Sequence, residues 1–152
     1  ELARGDMVKL DIGARSDGYH SDITRTVAFG EPDPRMREIR DLVAAAQRAG
    51  IDAVRPGVST VEVDAAARSV IAEAGHGDAF PHGLGHGVGL EIHEAPFLRW
   101  DGGEDLVAGM VVTIEPGVYI PGLGGVRIED MVEVTADGRR EIPRSTKALM
   151  VL

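Results

Sequence analysis

Residues 81–96 read PHGLGHGVGLEIHEAP and hold three of the chain's five histidines, His82, His86 and His93. Glycines separate them; a glycine adds nothing to a hydrophobic core but lets a ligand or another strand come close. Imidazole is the commonest metal ligand and titrates near neutrality. One histidine in a polar loop needs no explanation, whereas three so close together among glycines predict a site.

Upstream of this stretch the pattern is helical. Asp33-Pro34 supplies an N-cap and a first-turn proline, Ile39, Leu42, Val43, Ala46 and Ala49 follow at helical spacing, and Arg55-Pro56-Gly57 stops the run. Ser59 and Glu62 stand in capping-box relation ahead of a second apolar stripe, Val63, Ala66, Ala67, Val70, Ile71 and Ala74, closed by Gly75. The charges opposite both stripes are expected to be solvated. Earlier still, Met7–Ile12 and Asp22–Phe29 alternate on either side of Ser16-Asp17-Gly18, the pattern of an antiparallel hairpin. That hairpin would place Asp11 and Asp22 on one polar face, an uncomfortable pair in strands that disfavour aspartate. Arg25 shares the other face with Ile23, Val27 and Phe29, while His20 and His76 are assigned no role.

Downstream, Phe97–Ala108 reads as an acidic loop around Asp101-Gly102-Gly103. Met110–Glu115 reads as a strand closed by Pro116-Gly117, with Val111, Thr113 and Glu115 on one face. After the glycine-rich turn at 122–125, Val126–Val134 alternates throughout and predicts one strand, with Arg127, Glu129, Met131 and Glu133 opposite its apolar face. A hairpin turn at Asp137-Gly138 and a final apolar strand at Ala148–Leu152 complete the chain. A hairpin, two helices and then several strands predict an α+β fold with a mostly antiparallel sheet.

Composition narrows the function. The 152 residues (16.1 kDa) suit one domain, residues 1–152, with an ordinary apolar share of 43%. The absence of cysteine excludes disulfides, zinc–thiolate sites and a thiol nucleophile, and fits a cytoplasmic protein. A net charge of −9 argues against a nucleic-acid partner. No apolar run approaches a membrane span and nothing resembles a signal peptide, so no membrane partner is expected. The chain opens at Glu1 directly before a strand-like segment, so it is expected to be a piece of something longer.

The polar residues that these strands aim at one place are Asp11, Asp22, His86, Glu115 and Glu129. Four carboxylates and an imidazole suit Mn²⁺, Co²⁺, Fe²⁺ or Zn²⁺. Crowded carboxylates resist ionising unless cations neutralise them, and four are too many for one catalytic zinc. A two-metal hydrolytic centre is the better match.

Four segments then carry a resemblance: DIGARSDGYHSDITRT (Asp11–Thr26), HGLGHGVGLEIHEAP (His82–Pro96), TIEPGVY (Thr113–Tyr119) and GVRIED (Gly125–Asp130). In this order they resemble the catalytic domain of the pita-bread (M24) metallopeptidases, which include Xaa-Pro dipeptidases, Xaa-Pro aminopeptidases and methionine aminopeptidases. The resemblance implies the C-terminal portion of that domain: a pita-bread fold of mostly antiparallel curved sheet with covering helices, its N-terminal part absent. It implies two divalent ions, Mn²⁺ foremost, with Asp11 on one, His86 and Glu115 on the other, and Asp22 and Glu129 bridging. It makes Glu115 the proton acceptor and carrier, His82 and His93 the substrate-side histidines, and Tyr119 a neighbour of the peptide. Arg127 would orient the site in proline-specific members and is absent from methionine aminopeptidases. The implied reaction is hydrolysis of a small peptide before proline, the implied assembly of the full-length protein a homodimer. The alternatives are a methionine aminopeptidase, disfavoured by Arg127, and a non-catalytic pita-bread binding module, disfavoured by the intact ligand set. Without its N-terminal part the chain is expected to expose the face carrying Val8, Leu10 and Ile12, to self-associate or keep company with the missing part, and to have little activity of its own.

Overall fold

The computed structural model describes residues 1–142 and 145–152. Two eleven-residue strands, β1 (Asp6–Ser16) and β2 (Tyr19–Phe29), form an antiparallel hairpin. Its turn at Asp17-Gly18 needs positive φ at both positions, 51° and 90°, which aspartate tolerates and glycine favours. Helix α1 (Pro34–Ala53) begins where Asp33 caps the Arg35 N–H, and α2 (Thr60–Glu73) begins at the full Ser59–Glu62 capping box, a device contributing about 1 kcal/mol. The strands β3 (Gly85–Gly87), β4 (Glu94–Leu98), β5 (Val111–Ile114), β8 (Asp130–Thr135) and β9 (Gly138–Glu141) make one sheet in the order β4-β3-β5-β8-β9. The short ribbon of β6 (Gly117–Ile120) and β7 (Gly124–Arg127) is separate from it. Every ladder is antiparallel.

The helices pack on one another and cover the sheets. Met36, Ile39, Val43, Ile51, Val63 and Ile71 from the helices meet Leu84, Leu98, Val112, Ile114, Val118, Val126 and Val132 in one core. Each such side chain, removed from water, contributes roughly 1.5–3 kcal/mol. No described helix is long and apolar enough to cross a membrane. The hairpin behaves differently. Its outer strand buries little, and Leu10 and Ile12 are 39% and 58% exposed.

Three local readings change and one is extended. The alternation over Val126–Val134 spans two strands, β7 and β8, rather than one. The break at Ile128–Glu129 arises because this backbone bonds to the hairpin: the Glu129 N–H donates to the Thr24 carbonyl at 3.1 Å, and Arg25 donates to the Glu129 carbonyl at 2.6 Å. The strand before Pro116 does close there, β5 ending at Ile114, and Gly117 then opens a further strand, β6, and pairs with Arg127. Phe97 and Leu98 belong to β4, because β3 pairs them with His86 and Gly85, not to the acidic loop. Ala148–Leu152 forms no strand; a single parallel bridge joins Val151 to Ala28, and Met150, Val151 and Leu152 stay exposed.

Candidate metal centre

Register on the hairpin decides the first two carboxylates. Asp11 faces Thr24 and Gly13 faces Asp22, so Asp11 and Asp22 are diagonal neighbours on one face, which Thr24 shares. The Thr24 hydroxyl donates to one oxygen of Glu129 and accepts from Arg127 Nε at 3.1 Å. Arg127 also pairs with Asp11 and lies 3.8 Å from Glu115.

A second threonine organises the other side. Thr113 on β5 accepts from the His86 N–H at 3.0 Å and donates its hydroxyl to Glu115 at 3.0 Å. His86 can come so close because Gly85 precedes it: a methyl group at position 85 would overlap the Thr113 carbonyl. The His86 Nδ1 bonds the Gly87 carbonyl at 3.0 Å, which fixes the ring and turns Nε2 toward Glu115 (3.2 Å) and Asp22 (3.8 Å).

Electrostatics separates these carboxyls. Burial, then the charge of Glu115, pushes Glu129 from an ordinary 4.5 up to about 8. Asp22 is raised by burial and by Asp11. Burial acts upward on Glu115 as well, but His86, Thr113 and Arg127 together outweigh it and hold this carboxyl below its usual value. For His86 the downward push of burial is outweighed by Glu115 and the Gly87 carbonyl, and its pKa rises.

Asp11–Asp22–Glu129, His86–Glu115–Glu129 and Asp22–His86–His93 each present ligand atoms within 4.8 Å of one another. Asp22, His86 and Glu129 each belong to two of these sets. The second Glu129 oxygen, Oε1, is buried without a hydrogen-bond partner among the described residues. A buried oxygen with no donor costs free energy until something positive meets it. With three further carboxylates and no thiolate around it, this donor set fits hard divalent cations.

Beside the ligands lies a cleft of about 510 Å³ lined by His82, Gly83, Gly85, His86, His93, Phe97, Arg99, Glu115 and Arg127. The His93 ring stands 4.2 Å from that of His86, centre to centre. His82 bonds the Gly83 carbonyl through Nδ1 (2.8 Å) and the Tyr119 hydroxyl through Nε2 (3.1 Å), and burial lowers its pKa. Tyr119 reaches it by lying flat on the β6–β7 ribbon, across Gly117 and Gly125, where any Cβ would collide with the phenol ring.

All nine residues singled out from the sequence therefore fall in one region, although Arg127 and Glu129 do not share a strand. The two threonines were not singled out, yet Thr24 and Thr113 join the ligands to one another; their signal was the strand face they share with Asp22 and Glu115. On α2 the expectation of solvated charge fails for Asp64, which is 1% exposed. It is buried because Arg68 grips it and the Leu84 N–H donates to it at 3.0 Å.

The sequence profile of metallopeptidase family M24 matches residues 1–136. Among curated proteins, the Xaa-Pro dipeptidase of Pyrococcus furiosus is 48% identical over 149 residues, covering 98% of this chain and 43% of the relative. Among solved structures, an Xaa-Pro dipeptidase from Bacillus anthracis superposes with a TM-score of 0.97 at 50% identity, over 99% of this chain and 42% of that one. The X-Pro aminopeptidase of Thermotoga maritima gives 0.96 at 36% identity, over 99% and 43%. The chain thus spans about two fifths of the length of the proteins it matches, the C-terminal portion of the pita-bread fold.

Proposed function

The chain belongs to metallopeptidase family M24, and from that premise we propose that it is the catalytic portion, residues 1–152, of a dinuclear-metal exopeptidase cleaving Xaa-Pro bonds, as a dipeptidase or an aminopeptidase. The observation that carries this reading is the pair of ligand sets sharing Glu129 beside a cleft lined by His82, His93 and Arg127. Asp11 would hold one ion, His86 and Glu115 the other, with Asp22 and Glu129 between them; Mn²⁺ is the first candidate. When bound, such ions acidify water and polarise a peptide carbonyl.

The chain's own residues supply the rest. Glu115, kept ionised by His86 and Arg127, accepts the proton of the attacking water and delivers it to the departing nitrogen. That delivery matters before proline, where the leaving nitrogen starts without a proton of its own. His93, at the open side of His86, and His82, oriented by Tyr119 and Gly83, face the peptide and steady the developing oxyanion. Arg127 holds Asp11 and Thr24 of the hairpin and lies 3.8 Å from Glu115, and so joins the hairpin ligands to the one that follows β5. A homodimeric, cytoplasmic whole protein accompanies this reading, the location supported by the cysteine-free composition.

The test is hydrolysis of Xaa-Pro dipeptides and longer Xaa-Pro peptides by the whole protein, stripped of metal and then reloaded with Mn²⁺. Cleavage only after reloading is expected. Preference for an N-terminal methionine without proline would transfer the site to methionine aminopeptidase chemistry, and metal uptake without hydrolysis would leave a binding module.

A further inference from the structure

Arg68 lies on α2, outside the ligand set. Two of its nitrogens grip both oxygens of Asp64, one turn earlier, at 2.7 and 2.8 Å. Its other donors run to the Phe80 carbonyl at 2.9 Å and the His82 carbonyl at 2.7 Å. The guanidinium lies over the Phe80 ring, 4.1 Å from its centre, and over that of Trp100 at 4.7 Å.

These contacts fall where the β-sheet stops helping. The β3–β4 ladder ends at the Gly85–Leu98 pair. Beyond that pair the two extensions carry cleft-lining side chains, His82 on one and Arg99 on the other. Arg68 is the group that both extensions meet, through the carbonyls of Phe80 and His82 and through the Trp100 ring. The same helix holds the far end of the second extension, where the Thr60 N–H donates to the Glu104 carbonyl at 2.9 Å.

Resting on the reading of the cleft as a peptide site, we propose that Arg68 is a positioning residue of that cleft. One guanidinium, itself fixed by the buried Asp64, sets His82 on one extension and, by stacking on Trp100, Arg99 on the other. The role needs arginine: a planar fork can serve Asp64 and two carbonyls while presenting flat faces to rings, whereas a lysine ammonium has three donors and no plane.

The experiment compares Arg68→Lys and Trp100→Leu in the whole, Mn²⁺-loaded protein. The readouts are KM and kcat on an Xaa-Pro dipeptide, metal content, and the ring NMR signals of His82, these last recorded on the same proteins loaded with diamagnetic Zn²⁺, since paramagnetic Mn²⁺ would broaden them away. For Arg68→Lys a KM rise of about tenfold or more is expected, with kcat within about threefold, metal content unchanged and the His82 signals displaced. Trp100→Leu removes a ring that is 55% exposed and keeps every Arg68 hydrogen bond, so it should fold normally and raise KM in the same direction by less. Unchanged KM in either folded variant overturns the proposal, as does a fall of kcat and metal content in step with the folded fraction. If Arg68→Lys does not fold, the KM of Trp100→Leu alone decides: a rise supports the role and an unchanged value overturns it. If the wild-type protein cleaves no Xaa-Pro peptide, the peptide reading fails separately, and unmoved His82 signals in Arg68→Lys then refute the clamp.

Discussion

Glu129 and Asp130 are consecutive, both acidic and both almost wholly buried, yet they live in opposite surroundings. Asp130 points to the back of the site, where Arg25 reaches it at 2.7 Å, Gln47 at 2.9 Å and Lys147 at 2.6 Å. Glu129 points to the front, where it meets three other carboxylates and one threonine hydroxyl, with no hydrogen-bond partner for Oε1 among the described residues. Burial is the same on both sides; only the partners differ. The back carboxylate is satisfied by the protein itself, while the front one is left for a cation. Arg25 joins the two, since it donates to the Asp130 carboxylate and to the Glu129 carbonyl.

Neutralising each acid in turn puts this contrast under the greatest stress. Glu129→Gln should remove two-metal occupancy and essentially all hydrolysis, because a shared ligand is lost, and Asp22→Asn should do the same. The metal-free fold of Glu129→Gln should keep its stability or gain some, since no buried charge is stranded. Metal analysis beside melting curves decides; two retained ions in both variants would sink the assignment. Asp130→Asn should do the reverse, stranding Arg25 beside an uncharged group and leaving Lys147 with Glu141 alone, at a cost of roughly 3–5 kcal/mol. At this chain length that is on the order of 10 °C in melting temperature. A melt within about 2 °C of wild type would show that the rear network matters little.

The two arginines extend the contrast. Arg127 on the front makes directed contacts with Asp11 and Thr24, so Arg127→Lys keeps the charge but loses the fork. Turnover of an Xaa-Pro substrate should fall about ten- to a hundredfold, the range for groups that orient metal ligands. Unchanged turnover would remove the reason for preferring this reading over methionine aminopeptidase.

The effect of pH is the most diagnostic of the front. In metal-free protein, Glu129 holds its proton up to about 8 when folded but releases it near 4.5 when unfolded. Between those values the folded state binds the extra proton, so the contribution is complete below the unfolded pKa and lost as pH rises through the folded one. Stability of metal-free protein should therefore fall from about pH 5 to pH 8, with a slope of up to roughly 1.4 kcal/mol per unit. Asp22, also raised, works in the same direction. Denaturant melts across that range should show the slope in wild type and a smaller one in Glu129→Gln; an equal slope in both would place the proton elsewhere.

The front was legible in the sequence because its chemistry is written in residue types. Carboxylates in alternating strands and histidines among glycines are anomalies that no core explains, and the hairpin alternation was enough to put Asp11 and Asp22 on one face. The rear was not. Asp130 and Arg25 are ordinary strand residues until the hairpin and the 127–130 segment meet, over a hundred positions apart in some of these bonds. Alternation from Arg127 to Glu133 runs straight through the strand break, because side chains can keep a two-residue rhythm while the backbone changes partners. Asp64 and Arg68 look like any exposed helical ion pair; a phenylalanine and a tryptophan from other segments lie against Arg68, and Asp64 takes the Leu84 N–H. The closing apolar residues, Ala148–Leu152, had strand composition but only one bridge to grip.

The tyrosine that lies across Gly117 and Gly125 has a consequence for heredity. Every single-nucleotide missense change in a glycine codon yields a larger residue. At Gly125 the new atom would tip the ring, and at Gly117 it would push on the hydroxyl itself. Either way the His82 partner moves before any residue touching a substrate has been altered. Two positions with no functional side chain thus tolerate less drift than many positions that have one.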